Sequence, residues 1–258
     1  MPRRFAVWEA LAWTVCASAG LSLALTLVVT ALGPRADIVP LGLTQIGVYG
    51  AALLAFAAWH KQPLREVVPL RPVPIQVCLV AVALGVVVQF PSTLLANAIE
   101  HFYPLPEEVL KHRLALITPR SIAHGVAIVL IVSILGPCIE EFFFRGALFG
   151  AVRRAHGARV TMTVVSLCFV AAHLDLRLLL PLLPAAWLMA EMRERTQSIW
   201  PGLALHAGFN SLTLIGVFCG LTPNGKPPPI PPALALLSCL AAVSLFRLTR
   251  SIKVPPQY

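Results

Sequence analysis

Residues 122–151 read IAHGVAIVLIVSILGPCIEEFFFRGALFGA, and the reading of this stretch decides the fold. It is long enough to cross a bilayer as a helix, which takes about 20 mostly apolar residues. Yet its middle carries Glu140, Glu141 and Arg145, while His124 stands near its outer end and no other formal charge interrupts it. A Glu or Arg at mid-membrane costs about 2.5–3.5 kcal/mol on insertion scales, so three in one segment imply a function that requires them.

The rest of the chain agrees with a membrane setting. Of its 258 residues, 58% are hydrophobic and only 12% charged, with a mean hydropathy of +0.81; a soluble domain carries about a quarter charged residues. Long apolar runs rather than short alternating segments select helices over a barrel. The expected fold is an all-α integral membrane protein, a single polytopic domain over residues 1–258 with a polar site inside the membrane. The net charge of +9 is scattered through short loops, which excludes a nucleic-acid surface and points to topology and anionic lipid headgroups. The six cysteines lie in apolar stretches without a CxxC pair, so neither a zinc knuckle nor a disulfide framework is indicated.

About eight helical runs are expected, over 8–32, 41–59, 74–99, 122–151, 159–174, 177–192, 198–220 and 231–248. The first follows Arg3 and Arg4, is too long for a signal-peptide core and is read as a retained span. The fifth and sixth are short and stand only Leu174-Asp175-Leu176 apart. With the amino terminus inside, thirteen basic residues fall on inner segments and six on outer ones. That bias predicts a multi-pass protein of the inner cell membrane with both termini in the cytoplasm. Pro106-Glu107-Glu108, followed by Leu110, Leu114 and Ile117 at helical spacing, predicts a short amphipathic helix on the outer surface.

Helical depth brings further polar residues to the level of the glutamates. Glu140 and His173 lie about 20 Å from the inner ends of their helices at 1.5 Å per residue. His206 and Asn210 lie about 12–18 Å into theirs on the same scale. Glu141 and Arg145 are four residues apart and share a helix face, so they can pair, leaving Glu140, turned by about 100°, for another partner. His206 and Asn210 repeat the four-residue spacing, and two donors on one face suit a developing oxyanion. A poorly solvated carboxylate such as Glu140 suits a general base acting on water, and His173 can orient that water. Gly136-Pro137 removes a backbone hydrogen bond one turn earlier and is expected to bend the helix.

These residues resemble a known family. Glu-Glu-Phe-Phe-Phe-Arg-Gly at 140–146 is similar to the first motif of the CAAX protease and bacteriocin-processing family of intramembrane endopeptidases. Phe169-Val-Ala-Ala-His173 resembles its second motif, and Ser198-Ile-Trp-Pro-Gly202 with His206-Ala-Gly-Phe-Asn210 its third. The likeness covers residues 120–215, the expected catalytic core. It implies that Glu140 and His173 activate water, that His206 and Asn210 form the oxyanion hole, and that Glu141 and Arg145 support them. The implied substrate is a membrane-anchored protein or peptide in the bilayer. Glu with two His would be an acceptable zinc set by ligand type, but HExxH spacing is absent and Asn is a poor ligand. The expectation is a glutamate mechanism without a metal or other cofactor. The alternatives are a non-catalytic scaffold or immunity partner, and a proton-coupled transporter using Glu140, Glu141 and Arg145 as a relay.

Overall fold

The computed structural model describes residues 5–33, 36–222, 225–226 and 228–253; Arg3, Arg4 and Arg35 of the charge comparison lie outside them. The described residues form helices without any strand. They are α1 (Val7–Leu32), α2 (Ile38–Trp59), α3 (Ile75–Phe102), α4 (Glu107–Ile117), α5 (Ile122–Ala155), α6 (Ala158–Ala171), α7 (Leu179–Thr196), α8 (Trp200–Phe218) and α9 (Pro232–Ser251). Their ends follow local chemistry. Asp37 accepts from the Val39 N–H at 3.0 Å to start α2, and Ser121 accepts from the His124 N–H at 3.2 Å to start α5. Gln197, in the left-handed region at φ 54°, ends α7.

Six of these helices, α1, α2, α3, α5, α8 and α9, are long and apolar enough to cross a bilayer. The expectation of eight is not met because of the two short runs. Helix α6 has 14 residues, about 21 Å at 1.5 Å per residue, less than a hydrocarbon core of about 30 Å. Helix α7 carries Glu191, Arg193, Glu194 and Arg195 in its last turns. Because α6 leaves and α7 returns toward the same end, the sidedness of the remaining helices does not depend on how deep this pair reaches.

Helix α3 lies at the centre, packed on α7, α8 and α9, while α2 lies against the middle of α5 and α6 pairs with α7. Close approach depends on glycine. A Cβ at Gly85 of α3 would run into the Leu205 carbonyl of α8, and one at Gly208 of α8 would run into the Val82 carbonyl of α3. Small residues on both sides bring the two backbones together, as is usual where helices associate without a hydrophobic drive. Gly85→Leu is expected to destabilise the fold by about 1–3 kcal/mol, the usual cost of overpacking, read as a lower unfolding temperature in detergent.

Polar contacts gather at two opposite ends. At one, Arg153 pairs with Glu194 at 3.0 Å, Arg250 with Glu191 at 2.7 Å, and the Ser198 hydroxyl donates to the Arg71 carbonyl at 2.6 Å. This end holds eleven of the described Lys and Arg residues, Lys61, Arg65, Arg71, Arg153, Arg154, Arg159, Arg193, Arg195, Arg247, Arg250 and Lys253. It is also filled by main chain: the helical turn Leu64–Val67 dips inward until the Val67 carbonyl meets Gly146 of α5, where a Cβ would lie 2.8 Å from it. At the other end Arg120 pairs with Asp37 at 2.7 Å and Arg113 with Asp175 at 3.1 Å. Helix α4 lies at this second end as the spacing predicts, with Leu110 buried and Leu114 and Ile117 half-buried.

Candidate active site

Helix α5 changes hydrogen-bond register on both sides of its glutamates. Leu130–Leu135 and Phe142–Leu148 are π-helical, and the α-helical Gly136–Glu141 lies between them. Wide turns of this kind recur at functional sites. The Gly136 N–H bonds to the Ile131 carbonyl, five residues back. In that register the next acceptor is the Val132 carbonyl, which faces Pro137 and receives nothing from a residue that lacks an N–H. Asn210 of α8 takes its place, donating Nδ2–H to the Val132 carbonyl at 2.9 Å.

Glu141 points into the protein. Its Oε1 accepts from an Arg145 guanidinium nitrogen at 2.6 Å, with both side chains fully buried. Arg145 also donates to the Ala186 carbonyl at 3.2 Å, and its guanidinium lies 4.2 Å from the Phe169 ring centroid. The other Glu141 oxygen, which has no hydrogen-bond partner among the described residues, borders Gly202 so closely that a Cβ there would stand 2.9 Å away. That space explains a glycine at this point of the third motif. Phe143 and Phe144 are buried against Tyr49 of α2 rather than facing lipid.

Glu140 turns the other way, as the 100° step requires. Its Oε1 accepts from the Gln45 amide of α2, and its Oε2 faces His206 Nε2 at 3.7 Å. The His206 ring thus bridges the two glutamates, because its Nδ1 is 3.4 Å from Glu141 Oε1. Nδ1 is the nitrogen turned to Glu141, and Nε2 the one presented to Glu140.

Glu140, His173, His206 and Asn210 line one cavity of about 100 Å³. Its apolar wall includes Phe169, whose ring stands edge-on to both His173 (5.2 Å) and His206 (5.5 Å). His173 is not mid-helix as its spacing from Arg159 suggested. Helix α6 ends at Ala171, and His173 occupies the turn beyond it, its Nδ1 3.0 Å from the Phe169 carbonyl. Leu174 follows at φ 53°. Its neighbour Asp175 is held by Arg177 and Arg113, which lower its carboxyl to about 2. A depressed carboxyl stabilises the fold above the unfolded value of about 3.9 and loses that contribution as pH falls toward its folded value. The difference in unfolding temperature between the wild type and Asp175→Asn is therefore expected to be constant above about pH 5 and to shrink between about pH 4 and 2.

Two contributors escape a motif-based reading. Gln45 is 95 positions from Glu140, and its local signal is a side-chain amide in a largely apolar span. Arg193, assigned by sequence to an inner loop, is a buried residue of α7 whose Nε donates to the Arg145 carbonyl at 2.9 Å. As for zinc, among the described residues no three His, Cys, Asp or Glu side chains converge to hold a metal ion.

The fold and this site define a multi-pass helical membrane protein with a Glu–His cluster enclosed among its helices. In comparison with known proteins, residues 122–212 match the family described as type II CAAX prenyl endopeptidase Rce1-like. The chain is also 30% identical over 96 residues to the "Putative membrane peptidase YdiL" of Bacillus subtilis (strain 168), an alignment covering 37% of this chain and 39% of that protein. It thus spans about two fifths of the curated relative it matches. No solved structure matches significantly. The resemblance read from the three motifs is borne out over the segment that carries them.

Proposed function

We propose that this protein is an intramembrane endopeptidase that hydrolyses a peptide bond of a membrane-associated protein or peptide, with residues 120–215 as its catalytic core. The observation that carries the reading is the convergence of Glu140, His173, His206 and Asn210 on one small cavity, from two helices and a turn.

In this mechanism Glu140 is the general base. A water beside its carboxylate gives up a proton as its oxygen attacks the scissile carbonyl, and the same proton passes to the amide nitrogen as the carbon–nitrogen bond breaks. His173, which lines the same cavity, orients the water. The oxyanion is met by His206 Nε2–H and by the second hydrogen of the Asn210 amide, the first being held by Val132. The His206 ring stands between the two glutamates, Nδ1 turned to Glu141 and Nε2 to Glu140. Glu141 and Arg145 hold that ring in place. No metal enters these steps.

Membranes from wild-type and Glu140→Gln cells, compared by sequencing of peptide termini, test the reading. A set of termini absent from the variant is the expected result and would identify the substrate. Identical termini with both forms equally expressed would sink the peptidase reading in favour of a scaffold, and pH-dependent transport surviving in Asn210→Ala would favour a proton-coupled carrier.

A further inference from the structure

The small catalytic cavity shares His173 with a second, much larger one of about 1030 Å³. The larger cavity runs between α3 and the turn that joins α6 to α7. Ala98 and Phe102 form one wall and Leu176 the other, with Arg113 and Asp175 at the rim. These rim residues belong to the end of the molecule bearing Asp37 and Arg120, which is poor in basic residues. At the basic end the Leu64–Val67 turn presses on Gly146, Ser198 is tied to Arg71, and Arg153 is tied to Glu194. An apolar groove beside Cys78 and Trp200 shares no lining residue with the catalytic cavity.

Orientation follows from charge. Among the described residues eleven Lys and Arg lie at the basic end against five at the end where the larger cavity opens, namely Lys111, Arg113, Arg120, Arg177 and Lys226. The basic end of a multi-pass protein faces the cytoplasm. We infer that the site is entered from the non-cytoplasmic side through the cavity behind His173, and that its substrate is a polypeptide segment presented at the outer leaflet, not a cytoplasmic chain end. This rests on the peptidase reading. The cavity suits such a segment. Its walls accept apolar side chains, while the charged Arg113 and Asp175 stand at its mouth, where backbone amides can remain satisfied by water.

The test uses thiol labelling of intact spheroplasts with a membrane-impermeant maleimide. Cys219, exposed just beyond α8 at the open end, is a natural reporter. It is expected to label in wild-type spheroplasts, whereas a cysteine introduced as Lys61→Cys in Cys219→Ala protein labels only after lysis. Leu176 is 83% exposed at the cavity rim, and Leu176→Cys in the Cys219→Ala protein is expected to label from outside. Its labelling should abolish the termini that Glu140→Gln also lacks. Phe102→Cys, on the facing wall, supplies the same measurement if Leu176→Cys does not accumulate or does not cleave. Labelling of the rim only after lysis would overturn the assignment, as would labelling from outside that leaves cleavage unchanged. Both results would leave the peptidase reading standing. If no termini disappear in Glu140→Gln, that reading falls and the substrate assignment with it.

Discussion

Glu140→Gln is expected to lower the rate of peptide cleavage by about 10²–10⁴-fold, the usual contribution of a positioned general base, while leaving the unfolding temperature near that of the wild type. The substitution keeps the shape of the side chain. It also keeps an oxygen for the Gln45 amide, so the hydrogen bond to α2 survives. What disappears is the capacity to take a proton from water. Single-turnover cleavage of the substrate found by terminus sequencing, measured in reconstituted vesicles alongside thermal unfolding, separates the two effects. Activity within threefold of the wild type would remove Glu140 from the chemistry.

Arg145→Met is expected to have the largest effect on the fold, about 3–5 kcal/mol, the cost of leaving one member of a buried ion pair uncompensated. Glu141 would then sit fully buried with His206 Nδ1 at 3.4 Å as its remaining contact. The Arg145 guanidinium also joins α5 to α7 through the Ala186 carbonyl and stacks on Phe169. Its loss therefore loosens three helices at once. Glu141→Gln combined with Arg145→Met removes the stranded charge, and should recover a substantial part of the stability. Denaturation of the two single variants and the double variant in detergent gives the cycle. Equal stability of Arg145→Met and the wild type would contradict the structural role of the pair.

The features legible in the sequence are those set by spacing along one helix. The four-residue interval fixes Glu141 against Arg145 and puts His206 and Asn210 on one face, and both relations recur in the structure. The surface helix followed from Leu110, Leu114 and Ile117 by the same rule. Features set by the meeting of distant segments were not legible. Gln45 reaches Glu140 because Gly42 lets α2 close on Ile131, a contact that no local periodicity encodes. The π-helical turns depend on which carbonyl each amide selects, and hydropathy is blind to that choice. Counting spans by apolar length gave eight because α6 and α7 are apolar enough to be counted, but α6 is too short to cross and α7 is polar in its last turns.

The bond from Asn210 to the Val132 carbonyl joins two positions 78 residues apart into one heritable unit. The acceptor is vacant because the π-helical register carries the Gly136 N–H to Ile131 and Pro137 has no N–H to offer. A change of Pro137 to alanine would supply a competing main-chain donor and release Asn210 from its anchor. A change of Asn210 to leucine would leave a buried carbonyl with nothing to accept from. Each position thus sets the selective value of the other, and lineages that alter one should be found to have altered both.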